Sequence, residues 1–444
     1  MSRTLIKDCV VVPVTAPGFF TGSVGVEGGR IVLVADNARE EDRRRVEEFR
    51  TAAARGPGSC PPREMDGRGK LLMPGLVNTH THVAMTLMRN MADDLPLMAW
   101  LRERVWPFES RLTPGDITVG ARLGMAEMLL SGTTTLIDMY WHEAAVARAA
   151  RETGIRALLC PSFIDGERMS GFERDLDETL AAAEGVETLT VRPAPHAAYS
   201  CSAENLRRAV DLARRHNLGI TIHVSETLDE QRMIRERHGC TPTEYLRDAG
   251  VFSVPAIAAH CVHVTDGDIE ILRTNGVTVA HNPQSNMKLA SGAAPVARML
   301  DAGVNVTIGT DGASSNNDLD MWDEMRSASL LGKLTAADPA VMPAWEVVKM
   351  ATAAGARAIG MEGRLGIVAE GAIADLILVD TQKPHWYPHN NPVSALVYSA
   401  RASDVHTVWV NGREVVSGGR LTSLDTDALM RDVQRCVAST CVSP

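Results

Sequence analysis

The sequence of 444 residues predicts an α/β fold, a (β/α)8 TIM-type barrel framed by β-rich chain ends. Three observations carry this. Eight short apolar runs begin at Leu71, amphipathic segments separate them, and a histidine or aspartate stands at or next to the end of most of them. The runs are LLMPGLVNTH, TTTLIDMY, IRALLCPSF, LTVRPAPH, GITIHV, AIAAHC, VTVAHN and VNVTIGTD. Intervening segments such as GARLGMAEMLL, AENLRRAVDLARRH and TDGDIEILRTN have the apolar spacing of helices packed outside a parallel sheet. Eight such units in about 290 residues match the size of a TIM-type barrel. No near-identical repeat is visible, and a doubly wound open sheet is the alternative.

The chain ends read differently. Residues 24–34, VGVEGGRIVLV, form two strands around Gly28-Gly29, and residues 405–416, VHTVWVNGREVV, form a hairpin around Asn411-Gly412. Between residues 37 and 70, the charged stretch REEDRRRVEEFR and a Gly/Pro-rich loop read as a solvated helix and linker. The expected division is residues 1–72, a central barrel over 73–364, and residues 365–444.

A composition of 45% hydrophobic and 23% charged residues excludes disordered and fibrous classes. Forty-five Lys+Arg against 55 Asp+Glu, a net charge of −10, argue against a nucleic-acid or anionic-membrane partner and point to a small molecule. Eight cysteines without a CxxC pair suit a reducing compartment. Lys7, Asp8 and Pro13 interrupt the N-terminal apolar residues, so a soluble cytoplasmic protein is expected. Trp100 and Trp106 read first as core packing, with a cover over the site or a homo-oligomer contact as alternatives.

In a barrel the strand ends carry the chemistry, which makes His80, His82, His196, His223, His260, His281 and Asp311 one candidate constellation. His80 and His82, in NTHTH, are two residues apart on a strand and point to the same side. With His223 and Asp311 they provide three neutral nitrogens and a carboxylate, a set that binds Zn2+ while leaving room for water; iron or manganese suits the same ligands. No lysine occurs between Lys70 and Lys288, so the fourth run offers no carboxylated lysine to bridge two ions, and a single-metal site follows. Glu226, three residues past His223, is placed to carry protons, and His260 to hold the attacking oxygen or act as a fifth ligand. His263 reads as structural.

The segments PGLVNTHTH, TIHVSE, AAHCVH and GTDGASSNN resemble the amidohydrolase superfamily in its cytosine/adenosine-type deaminase branch. The stretches NTHTHVAMTLMRNMADDLPLMAWLRERVWPFESRLTP, HNPQSNMKLASGAAPV and GTDGASSNNDLDMWDEMRSASLLGK are similar to the methylthioadenosine/S-adenosylhomocysteine deaminase family. That resemblance implies zinc on His80, His82, His223 and Asp311, with proton transfers by Glu226 and Asp311. It implies ribose binding by Glu109, which otherwise reads as an ordinary surface carboxylate, and base contact by His196. It also implies that the flanking segments, with GAIADLILVD near residue 380, pair as a small composite β-sandwich. Where the family has an arginine just after the third strand this chain reads Pro161, and Arg174 fills a second arginine position, so a neutral 5′ substituent is expected over a carboxylate-bearing one. The expected reaction is zinc-dependent hydrolytic deamination of methylthioadenosine, S-adenosylhomocysteine or adenosine. Deamination or dechlorination of another purine, a pterin or a triazine is the alternative, and a non-catalytic binding barrel a remote one.

Overall fold

The computed structural model describes residues 3–51, 61–91, 93–95, 97–166 and 169–441. The chain forms two compact units, one of residues 1–77, 128–134 and 343–423, the other of residues 78–127, 135–342 and 424–444.

In the first unit both chain ends contribute to one nine-stranded sheet. Its strands run in the order Arg420–Leu421, Arg413–Ser417, Val405–Val410, Leu376–Asp380, Lys70–Pro74, Arg3–Val11, Phe20–Glu27 and Arg30–Asp36, with Arg63–Asp66 pairing beside Arg3–Val11. Both expected hairpins are present. Gly28 and Gly29 turn at φ 57° and 82°, and Asn411 and Gly412 at φ 50° and 72°, the left-handed pairs that a two-residue turn matched to strand twist demands. The charged stretch forms the helix Glu40–Thr51, which buries no residue fully; its Val46 and Phe49 rest on Leu5, Leu33 and Ala35. Most of the Gly/Pro-rich loop after it, with Cys60, lies outside the described residues.

The second unit holds most of the parallel strands. All eight apolar runs contain strands, but the first is split. Lys70–Pro74 pairs antiparallel with Leu376–Asp380 in the nine-stranded sheet, and only Leu76–Thr81 joins the parallel set. The fourth run is also broken, around Arg192-Pro193, into Leu189–Val191 and Ala194–Pro195, because proline cannot donate to a ladder. One parallel sheet follows the order Leu76–Thr81, Thr133–Tyr140, Arg156–Phe163, then the two fragments. The other follows Ile220–Val224, Ala256–His260, Thr278–His281 and Asn305–Ile308. Neighbours in space are neighbours in sequence throughout, without the reversal of strand order that defines a doubly wound sheet.

Hydrogen bonds link these two sheets at both sides. Ala197 and His223 form a parallel bridge. On the other side Asp311 N–H donates to the His80 carbonyl at 3.0 Å, the Thr79 hydroxyl to the Ile308 carbonyl at 2.9 Å, and Asn78 Nδ2 to Thr310 Oγ1 at 2.7 Å. The helices lie where periodicity placed them: Pro114–Leu130, Ala203–Arg215 capped by Ser202, and Asp266–Thr274 with a Thr265/Asp268 capping box. No helix among the described residues is long and apolar enough to cross a membrane.

Gly309 follows the last parallel strand at the closest approach of the first. A Cβ there would lie 2.6 Å from Asn282 Oδ1 and 2.8 Å from both the N and O of His80. Gly309→Ala should therefore lower stability by about 2 kcal/mol or more, the cost of overpacking against backbone. An unchanged urea midpoint would show that these strands separate freely.

Candidate metal centre and substrate cavity

Each expected ligand comes from the C-terminal end of a parallel strand. His80 and His82 stand at the first strand, His223 within the fifth, and Asp311 three residues beyond the eighth. The structure brings them together. Ring nitrogens of His80, His82 and His223 lie within 4.8 Å of one another, and His80, His260 and Asp311 make a second such group. His82 Nε2 is 3.4 Å from His223 Nε2 and 3.3 Å from Asp311 Oδ1.

Carbonyl groups decide which nitrogen faces inward. His82 Nδ1 donates to the Met139 carbonyl at 2.5 Å and His223 Nδ1 to the His196 carbonyl at 2.7 Å, leaving both Nε2 lone pairs aimed at one point. His80 is fully buried, and neither of its ring nitrogens has a hydrogen-bond partner. Lone pairs converging with a carboxylate, beside a buried imidazole left unsatisfied, fit a cation and little else. Burial drives the His80 and His223 pKa values well below normal, so both are neutral and competent to ligate. Burial opposes protonation of His82 too, but the hydrogen bond and charge of Asp311 overcome it and raise its pKa to about 9.

Asp311 is held from several sides. Its Oδ2 accepts from the hydroxyls of Ser285 at 2.6 Å and Ser315 at 2.9 Å, and Oδ1 from Gly312 N–H at 2.8 Å. The backbone is left-handed at Asp311, φ 61°, and at His260, φ 73°, uncommon for residues with a Cβ and concentrated at functional sites. His260 Nδ1 donates to Asn286 Oδ1 at 2.9 Å, and its Nε2 faces Glu226 Oε2 at 4.0 Å. Burial pushes the Glu226 carboxyl pKa up, against the lowering influence of His260.

These groups open into a cavity walled by Trp100, Leu101, Trp106, Tyr140, Trp141 and Tyr199. Glu109 lines it and is 3% exposed, accepting a 2.8 Å hydrogen bond from Tyr140 OH. The surface reading of Glu109 is thereby corrected. Trp100, which is buried, and Trp106, which is half-buried, both line the cavity. His196 also lines it, with Nδ1 2.8 Å from Ser200 Oγ.

Other expected residues lie apart. Arg174 is largely exposed, 3.8 Å from Glu178, and lines an adjoining cavity that shares Glu109, Trp141 and Ser162 with the first. Pro161 is not just beyond the third strand but inside it; Ser162 and Ile164 are the residues of that segment on the cavity wall. His263 donates from Nε2 to the Ser291 carbonyl at 2.6 Å, a structural role. His281 is buried outside both ligand groups, and burial takes its pKa down to about 3.

Sequence reasoning missed the residues that hold the site. Asn286, Ser285 and Ser315 act through side-chain hydrogen bonds that no strand-end rule reveals, although Pro283–Asn286 directly follow the seventh run. Glu230 is another. It is fully buried and accepts the Glu226 N–H at 2.8 Å.

Burial raises the Glu230 pKa to about 8, against about 4.3 for a free glutamate. The folded chain then binds this proton more tightly than the unfolded one. The resulting stability is complete below the unfolded value and is lost as pH rises through about 8. Glu230→Gln should flatten the fall in urea midpoint between roughly pH 5 and pH 9, a difference on the order of a few kcal/mol. Parallel curves for parent and variant would refute this.

The Amidohydrolase family profile matches residues 71–415. The 5-methylthioadenosine/S-adenosylhomocysteine deaminase of Pelotomaculum thermopropionicum is 45% identical over 98% of both chains. The 5'-deoxyadenosine deaminase of Methanothermobacter thermautotrophicus is 44% identical over 95% of this chain and 96% of that one. Among solved structures, an adenosine deaminase from Xanthomonas campestris with bound zinc superposes with a TM-score of 0.93 at 33% identity, covering 100% of this chain and 99% of the other. With its ligand cluster at the ends of parallel strands and this likeness along nearly its whole length, the chain belongs to the amidohydrolase family, in its 5-methylthioadenosine/S-adenosylhomocysteine deaminase branch.

Proposed function

We propose that the protein is a zinc-dependent hydrolase that converts an adenine nucleoside to its hypoxanthine product and ammonia. One observation carries the reading: the ligand cluster shares a single aromatic-walled cavity with a buried carboxylate, Glu109, suited to a diol. The named substrates of the relatives all contain adenosine or its 5′-modified forms. The proposed fold is a closed eight-stranded barrel, supported by the hydrogen bonds on both sides of the parallel sheets. The nine-stranded sheet is read as a composite sandwich. Its support is a single core cluster drawing Ile6, Val24, Ile31, Leu72, Leu376 and Trp409 from strands across the sheet. The domain boundaries at residues 72 and 364 belong to the same reading.

His80, His82, His223 and Asp311 would hold the ion, which would supply a water nucleophile at neutral pH. Asp311 takes the proton of the attacking water, its carboxylate held in place by Ser285 and Ser315 on Oδ2 and by the Gly312 N–H on Oδ1. Glu226, whose buried carboxyl retains a proton more readily than a free one, donates to ring N1 as the C6–O bond forms. His260 holds the attacking oxygen. As the C6–N bond breaks, Asp311 passes its proton to the leaving amine and Glu226 takes the proton of the C6 hydroxyl, so that ammonia leaves, a C6 carbonyl remains and both carboxyl groups regain their starting states. His196 meets the base and Glu109 the ribose hydroxyls. Arg174 lies farther along, toward the 5′ substituent.

Among the described residues no lysine or arginine lines the cavity that holds the ligand cluster. With Arg174 in the adjoining cavity, largely exposed and 3.8 Å from Glu178, a neutral 5′ group suits these walls better than a carboxylate, which needs a charge-assisted partner. Zinc-loaded protein should therefore deaminate methylthioadenosine, 5′-deoxyadenosine and adenosine with higher kcat/KM than S-adenosylhomocysteine, as read from ultraviolet absorbance. Turnover of none of the four would remove the purine from this reading.

Glu109→Gln separates nucleoside from base recognition. It should raise KM for nucleosides roughly tenfold or more, the worth of a charge-assisted hydrogen-bond pair, while changing that for free adenine little. Equal effects on both would sink the ribose role.

A further inference from the structure

Glu324 lies in the first turn of the helix Met321–Ala336 and is not among the residues facing the cavity. Its surface is completely buried. The carboxyl oxygens accept from two loops: Oε1 from Asn316 Nδ2 at 2.6 Å and Oε2 from the Gln284 N–H at 3.3 Å. Asn316 Nδ2 also donates to the Thr310 carbonyl at 2.8 Å, one residue before Asp311. Gln284 stands beside Ser285, which donates to Asp311 Oδ2, and two residues before Asn286, which holds His260.

Both of Glu324's hydrogen-bond donors are neutral, so the arrangement is a costly way to secure packing. A well-packed apolar side chain avoids the desolvation of a carboxyl group. What an apolar side chain lacks is two acceptors aimed at two loops. Asn316 and Gln284 are the junctions: one loop carries Asp311, the other the side chains that orient Asp311 and His260. Left-handed backbone at Asp311 and His260 makes those positions dependent on outside restraint.

We propose that Glu324 is a positioning residue that locks the loops after the seventh and eighth strands together and so sets the placement of Asp311 and His260. It touches neither ion nor substrate. The inference rests on the metal-centre reading above, but not on which ring is deaminated.

The test pairs Glu324→Ala with Glu324→Gln and uses two measurements. Zinc affinity, from competition with a chromophoric chelator, requires no substrate. Steady-state kinetics with methylthioadenosine separate kcat from KM. Loss of a group that supports ligands typically costs 10- to 100-fold, so Glu324→Ala should show roughly that loss in both zinc affinity and kcat, with KM nearly unchanged. Glu324→Gln keeps the acceptor for Asn316 and loses the one for Gln284, so its loss should be smaller, roughly threefold to tenfold. If the alanine protein does not fold, the glutamine variant decides. With the parent's melting temperature, a lower kcat and weaker zinc binding support the proposal, and unchanged values overturn it. A folded alanine variant with parental zinc affinity and kcat overturns it as well. Weakened zinc binding in a protein inactive on every adenine nucleoside would uphold Glu324's role while removing the substrate reading.

Discussion

The centre depends on an electrostatic conflict that only a positive charge relieves, a proton on His82 or a bound cation. Two imidazoles spend their N–H groups on main-chain carbonyls, so their remaining lone pairs meet 3.4 Å apart, with a carboxylate oxygen 3.3 Å from one of them. Water is largely excluded, and a third imidazole beside them has no hydrogen-bond partner. Lone pairs and a carboxylate repel in such surroundings; a proton on His82, whose pKa Asp311 raises to about 9, relieves that repulsion, and a bound cation takes the proton's place. The carbonyls of Met139 and His196 are therefore as much part of the centre as the ligands. A change of tautomer at either ring would turn an N–H toward the ion position.

Holding that conflict in place has a conformational cost. Asp311, His260 and Ser225 all have positive φ, at 61°, 73° and 52°, where each residue with a Cβ pays on the order of 1 kcal/mol or more. Such conformations persist only where neighbours over-determine them. Two serines and the Gly312 N–H converge on Asp311, two asparagines surround the His260 ring, and Gln231 bridges Ser225 and the His263 carbonyl. Gly309 and Gly312 let the chain pass close to His80 and His82 on either side of Asp311. Precision at the ligands comes from this dense polar packing rather than from the strands alone.

The strand pattern and the ligands were legible in the sequence for one physical reason. Short apolar runs record strands buried on both faces, and a polar residue ending such a run is where burial stops and chemistry starts. His80, His82, His223, His260 and Asp311 obey that rule, and the structure gathers them. Glu109 breaks it. A lone glutamate on a polar segment reads as solvated, and only Tyr140 and the tryptophans folded around it make it a buried group. Long-range pairing was equally hidden: LLMPGLVNTH reads as one run, yet Pro74-Gly75 divides it between two sheets. Pro161 shows the limit of reading an isolated position, since a loop position inferred from resemblance proved to lie inside a strand. Glu324 and Glu230 left no trace, because a carboxylate on a helix looks the same in the sequence whether it faces water or buried N–H donors such as Asn316 Nδ2 and the N–H groups of Gln284 and Glu226.

Reactivity and selection are consequently built from different parts of the chain. The proposed ion ligands sit at or near strand ends, where a displacement of one residue would turn each side chain away. The rest of the cavity wall comes largely from the segment 100–109 and from residues just beyond the second, third and fourth strands, such as Trp141, Ile164 and Tyr199. Those positions can change without altering a ligand. Relatives 33–45% identical to this chain are named for adenosine, 5'-deoxyadenosine, methylthioadenosine and S-adenosylhomocysteine, molecules that share adenine and differ at the 5′ end. On the proposed reading, a scaffold that fixes the ring against a metal and leaves the far end to a separate segment accounts for that spread, because altering the 5′ wall would leave the geometry of the lone pairs untouched.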